Sequence, residues 1–292
     1  MLDAVMLWNE PNNLSHWDRE QDPDWCAFAH MIMGACQAIA AERSGLTRVL
    51  GGISPIDPEF IRTLYLYGLQ RHLDVVAVHG FPLDWNLWQL NEWPHQVRKV
   101  EAFSRKPVWV TEVGASSFGS EEVQDFGLRR TTELLRGVAP RVYWYSLFDL
   151  PSAAMAVTRH KESEGSSYYR HFYHGLLTED GVPKKALASF DPSLGICQWI
   201  QYEDHDGLRR TVEWLRNLGV KRLRTGISWA DSHIPGAWEW FDTMMLALEE
   251  FEVLATLCFT PPSRGRTPHH ASPPVEPGEY AYFAQQVVRR YG

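Results

Sequence analysis

The feature that most constrains this chain is an alternation, sustained from end to end, of short β-rich apolar runs with longer segments whose apolar residues recur at helical spacing. Four runs, at 4–8 (AVMLW), 48–53 (RVLGGI), 74–78 (DVVAV) and 107–111 (PVWVT), are nearly continuous in apolar side chains, as strands buried on both faces must be. Four more follow at 141–145 (RVYWY), 195–200 (GICQWI), 220–228 (VKRLRTGIS) and 253–260 (VLATLCFT). The stretches 24–43, 58–70, 121–136, 206–218, 238–251 and 278–290 read as amphipathic helices between them. Parallel strands need crossover connections, and eight strands joined through helices predict a closed (β/α)8 barrel. With 292 residues, 45% hydrophobic and 22% charged, the chain suffices for such a barrel as a single domain, 1–292.

The net charge of −8 removes the electrostatic basis for binding nucleic acid or an anionic membrane and favours a neutral, hydrogen-bonding substrate. Thirteen tryptophans exceed the ordinary need of a core this size, and flat rings that stack on sugar faces would account for part of the excess. Cys26, Cys36, Cys197 and Cys258 are scattered, without ligand spacing, so neither a disulfide nor a structural metal is expected. His269 and His270 stand side by side without a third ligand in reach of the sequence pattern. No cofactor is expected. No apolar stretch has bilayer-spanning length and nothing at the start resembles a signal peptide, which predicts a soluble, cytoplasmic protein. The Pro-rich stretch 261–277 reads as one long βα loop, and 178–192, with turn chemistry at Asp180-Gly181, as the best candidate for a junction.

In barrels of this kind reactive groups sit where strands end, so a carboxylate that closes an apolar run carries more weight than one on a helix. Glu10, after AVMLWN, and Glu112, after VWVT, are both so placed. A strand-ending glutamate also serves to cap a helix or pair an arginine, and either reading suits each residue alone. Together they supply the pair that glycoside hydrolysis with retention requires: one acid to protonate the leaving oxygen and one carboxylate to attack the anomeric carbon, about 5–5.5 Å apart.

The string Trp8-Asn9-Glu10-Pro11-Asn12 resembles the acid/base signature that ends the fourth strand in clan A glycoside hydrolases. Val110-Thr111-Glu112-Val113-Gly114 resembles the seventh-strand nucleophile motif of the same clan. The resemblance implies that Asn9 binds the sugar 2-hydroxyl, that His79 is the sixth-strand histidine, and that Trp144 floors the subsite where cleavage occurs, although a strand tryptophan is as often plain core. Phe81 stands where many relatives carry a tyrosine that touches the nucleophile; it is expected among the substrate-binding residues, without the tyrosine's function being carried over. Arg224 matches the second-strand arginine that supports the nucleophile, with Arg222, on the same face of the run, as the alternative. Thr260-Pro261-Pro262 is similar to the third-strand end of the xylosidase-like family 39 branch.

The resemblance covers nearly the whole chain in rotated order: residues 1–190 match strands four to eight and 191–292 match strands one to three. The chain thus reads as a circular permutation beginning at the strand equivalent to the fourth. Strand exchange between neighbouring barrels is the rival explanation. The expected activity is that of a retaining glycosidase acting by double displacement, with Glu112 as nucleophile and Glu10 as acid/base, on an oligosaccharide or other β-linked glycoside such as a xyloside or glucoside. The alternatives are a catalytically inactive carbohydrate-binding barrel and, within the enzyme class, a transglycosylase.

Overall fold

The computed structural model describes residues 2–152, 158 and 160–292. The strands are β1 (Leu2–Leu7), β2 (Thr47–Ile53), β3 (Val75–Gly80), β4 (Val108–Val113), β5 (Val142–Tyr145), β6 (Gly195–Cys197), β7 (Arg222–Ser228) and β8 (Glu252–Cys258). All pair in parallel and in chain order, and β1 pairs with both β2 and β8, so the ring closes within one chain. The helices are α1 (Cys26–Glu42), α2 (Pro58–Leu66), α3 (Trp93–Ser104), α4 (Glu121–Leu135), a single turn α5 (Ser166–Tyr169), α6 (His205–Leu218), α7 (Ala237–Ala247) and α8 (Pro277–Tyr291). The eight expected strands are all present, as a (β/α)8 barrel.

Alternation along each strand divides the core into two layers. Ala4, Met6, Val49, Val75, Ala77, Trp109, Tyr143, Cys197 and Leu254 point inward and fill the barrel. Small residues at 4 and 77 leave room there for the rings of Trp109 and Tyr143. The other face of every strand joins the helices in a larger outer layer. Within it Trp8, Trp17 and Phe28 meet edge to face, with ring centroids 5.3 and 5.0 Å apart. The backbone N–H groups of Ala27 and Phe28 donate to the Asp22 carboxylate, each at 2.9 Å, which satisfies the first turn of α1.

Several boundaries differ from the sequence pattern. The helix expected at 58–70 ends at Leu66, because Gly68 takes a left-handed conformation (φ 87°) and the chain continues as a 3₁₀ turn, Leu69–His72. The run at 195–200 yields only three strand residues. Helix α3 was not among the expected segments; its core face is thin, Trp93, Val97 and Val100, between charged neighbours. The 178–192 stretch contains a 3₁₀ turn, Lys185–Ser189, packed on α4.

Phe28 is fully buried whereas Tyr282, on the outer face of α8, is 63% exposed. Phe28→Ala is expected to lower unfolding free energy by about 3–5 kcal/mol in urea titrations, and Tyr282→Ala by no more than about 0.5 kcal/mol.

Candidate active site

Two local departures from strand alternation build the site at the C-terminal end of the barrel. In β1, Met6 points inward and Leu7 outward, so regular pleating would turn Trp8 inward. Instead Trp8 adopts φ 72°, its ring enters the outer layer, and its indole N–H donates to the His16 carbonyl at 2.9 Å. The reversal brings both Asn9 and Glu10 over the barrel mouth, and Glu10 itself has φ 40°. In β4, Trp109 faces in and Val110 out, and regular pleating would send Glu112 outward. The register against β3 shifts there: Val78 is opposite Val110, but His79 is opposite Glu112. Thr111 is therefore the extra residue of a bulge, which re-aims Glu112 to the inside.

The carboxylates converge. Glu10, His79 and Glu112 present donor atoms that all lie within 4.8 Å of one another. His79 Nδ1 is 2.9 Å from Glu10 Oε1 and 3.5 Å from Glu112 Oε2, and its Nε2 is 3.0 Å from the Thr111 hydroxyl. The buried guanidinium of Arg224 donates from Nη1 to Glu112 Oε1, from Nη2 to Asn9 Oδ1 at 2.6 Å, and from Nε to the Thr256 hydroxyl at 3.1 Å. Burial opposes its charge, but Cys197 and Glu112 beside it together outweigh that effect and keep the guanidinium firmly protonated. Asn13 Nδ2 donates to Glu10 Oε2 at 2.8 Å, and Asn12 receives the Ser54 N–H, tying this loop to the end of β2.

The structure thus brings together five of the seven residues expected from the sequence: Glu10, Glu112, Asn9, His79 and Arg224. Arg222, the alternative to Arg224, lies two residues earlier on β7 and donates instead to the carbonyls of Pro140 and Ser193. Phe81 packs at the rim against Trp85, Tyr145 and His174. Trp144 does not reach the site. Val142 and Trp144 point to the outer layer while Tyr143 and Tyr145 point inward, and Trp144 is fully buried, so no sugar can stack on it. The inward ring at that strand end is Tyr145, whose phenol is pushed up by burial and by the charges of Glu112 and Glu10. Asn13, Thr111 and Tyr145 are the site residues that sequence reasoning missed, although the period-2 pattern of RVYWY already separated Tyr145 from Trp144.

Glu10, His79 and Glu112 also make a conceivable cation-binding set. Arg224 already holds Glu112, however, and a fixed guanidinium opposes a second cation there. The arrangement is better matched to proton transfer and nucleophilic attack by a carboxylate.

No family model matches the chain, and no curated protein does. Solved structures similar to parts of it include a GH128 (subgroup II) endo-β-1,3-glucanase from Sorangium cellulosum, 17% identical over 63% of this chain and 66% of that one, TM-score 0.38. A Bacteroides uniformis β-glucuronidase is 16% identical over 51% of this chain and 18% of its own, TM-score 0.38. A fungal β-1,4-galactanase is 14% identical over 48% and 46%, TM-score 0.33. The first matched structures are covered over only 18%, 25% and 60% of their lengths.

Two predictions follow from the packing. A Cβ on Gly52 would lie 1.9 Å from His79 Nε2, so Gly52→Ala is expected to cost about 1–3 kcal/mol in urea unfolding; unchanged stability would show that the ring is not confined. Burial holds His16 at about 4 and His79, His171 and His174 at about 3, below the 6.5 of an exposed imidazole. The unfolded chain then binds more protons than the folded one below pH 6.5, so stability is fully present above that value and is lost as pH falls towards 4. The His174 ring nitrogens have no partner among the described residues. His174→Met should therefore narrow the difference in urea midpoint between pH 7 and pH 5.

Proposed function

We propose that this chain is a retaining glycoside hydrolase that cleaves β-linked O-glycosidic bonds by double displacement. The reading is carried by one observation: two carboxylates, from strand ends distant in sequence, present oxygens within 4.8 Å of each other. Oxygens this close suit direct attack on the anomeric carbon, whereas inverting enzymes hold their carboxyl groups about 6.5–9.5 Å apart.

In the first step a Glu112 oxygen attacks the anomeric carbon. The bond to the leaving oxygen breaks as protonated Glu10 donates to it, leaving a glycosyl ester on Glu112. Arg224 engages Oε1 of Glu112, which leaves Oε2 as the attacking atom. In the second step ionised Glu10 takes a proton from water, the water oxygen bonds to the anomeric carbon, and the ester bond breaks, which restores both side chains. Neutral His79, within 2.9 Å of Glu10, fixes that carboxyl group through both stages. Asn9, oriented by Arg224, is assigned to the sugar 2-hydroxyl by its resemblance to the clan A motif.

The same resemblance supports the permuted strand order, in which β1 stands for the fourth strand of the clan and β6 for the first, and a xyloside or glucoside as substrate. The whole chain, 1–292, acts as one catalytic barrel in this reading.

Glu112→Gln should abolish turnover of aryl glycosides. Glu10→Gln should slow poor leaving groups by about 10²–10⁴-fold while sparing the first step on dinitrophenyl glycosides, whose phenolate departs without a proton. Loss of the two substrate types in equal measure would remove Glu10 from the acid role. A binder without catalytic power would show melting shifts with saccharides and no aryl release from the unaltered protein.

A further inference from the structure

Outside the pocket, three rings remain open to solvent on the same face of the barrel. Phe118, Tyr169 and Tyr173 are 38%, 38% and 42% exposed. Phe118 lies in the loop that leaves β4, six residues after Glu112, while Tyr169 and Tyr173 lie in the long connection from β5 to β6. The rings of Phe118 and Tyr169 are near parallel, 18° between planes and 6.3 Å between centroids, and the ring of Tyr173 is 5.6 Å from that of Phe118 and tilted 41° to it. We propose that these three rings form a second carbohydrate-binding platform, which holds a distal stretch of a polymeric glycan whose bond is cut between Glu10 and Glu112. The proposal rests on the glycosidase reading above.

Three observations favour a glycan as the occupant. First, the patch is continuous with the cleft. Tyr173 precedes His174, whose ring packs on Phe81 and Tyr145 at 5.3 and 5.5 Å, and Tyr145 borders the two glutamates. Second, the platform is held in shape before any ligand arrives. The Ser117 backbone N–H and hydroxyl both donate to the Tyr173 carbonyl, at 2.9 and 3.1 Å, and the Ser116 hydroxyl donates to the Arg170 carbonyl at 2.9 Å. Lys184, almost wholly buried, joins the loops by donating to Ser117 Oγ at 2.9 Å and to Asp149 at 2.6 Å. Little ordering cost then opposes binding. Third, exposed aromatic faces with a polar edge suit the apolar face of a pyranose and the hydroxyls around it. The Tyr169 hydroxyl, donating to Glu162 at 2.7 Å, lies at that edge.

The test uses the full chain and the double variant Phe118→Ala/Tyr169→Ala, with its melting temperature checked against the parent. Each is run through native gels containing laminarin, xylan or carboxymethylcellulose, and assayed on the same polymers and on 4-nitrophenyl glycosides. Retardation of the parent by one polymer and its loss in the variant are expected. The ratio of polymer to aryl-glycoside kcat/KM should fall at least about five-fold. Equal retardation of both proteins, retardation of neither, or an unchanged ratio would overturn the platform. Polymer retardation that depends on the two rings, without any aryl release by the parent, would overturn the glycosidase reading and leave the platform standing.

Discussion

Two carboxylates within 4.8 Å of one another in a largely buried pocket repel, and the surroundings of Glu10 and Glu112 are built around that repulsion. At an effective dielectric near 20 the repulsion of two full charges at this distance is about 3 kcal/mol. Arg224 answers it on one side, with its three nitrogens committed to Glu112, Asn9, Thr256 and Cys197. On the other side, neutral His79 and the Asn13 amide hold Glu10 without adding charge. One carboxylate carries a fixed cation and the other only neutral partners. That asymmetry suits the two different roles proposed for them.

The asymmetry depends on backbone distortion rather than on regular structure. A left-handed Trp8 and the bulge at Thr111 each redirect one glutamate, and each is held by packing behind it. Trp8 is locked in the outer layer by Trp17, Tyr280 and the His16 carbonyl. Neighbouring glycines make room. Gly51 lets the Trp8 carbonyl approach, Gly52 seats the His79 ring, and Gly114 passes the Tyr145 carbonyl, all at distances where a Cβ would collide. Core packing thus reaches the chemistry through named contacts, and two of the left-handed non-glycine residues, Trp8 and Glu10, lie where the proposed reaction takes place.

Much of this was legible in the sequence, because the period-2 and 3.6-residue patterns are local and the barrel follows from their order. Glu10, Glu112, Asn9, His79 and Arg224, which the structure brings together, were singled out because short motifs surround them. Trp144 was misplaced because a motif position was followed in preference to the pleat: in RVYWY the residues on either side of Trp144 face inward. The bulge at Thr111 was not legible, since a one-residue register shift is a property of the pairing with β3 and leaves no mark on either strand alone. The same holds for α3, whose apolar face of Trp93, Val97 and Val100 is defined by the barrel wall it covers. The exposed rings at 118, 169 and 173 come from two loops, and only tertiary structure brings them together.

The central claim is a covalent bond between Glu112 and the sugar. Incubation with a panel of 2-deoxy-2-fluoro glycosides bearing dinitrophenyl leaving groups, followed by peptide mass mapping, tests it directly. The account predicts one glycosyl mass, on the peptide containing Glu112 and at that residue. A label on another residue, or steady hydrolysis that yields the inverted anomer with no labelled protein, would contradict it.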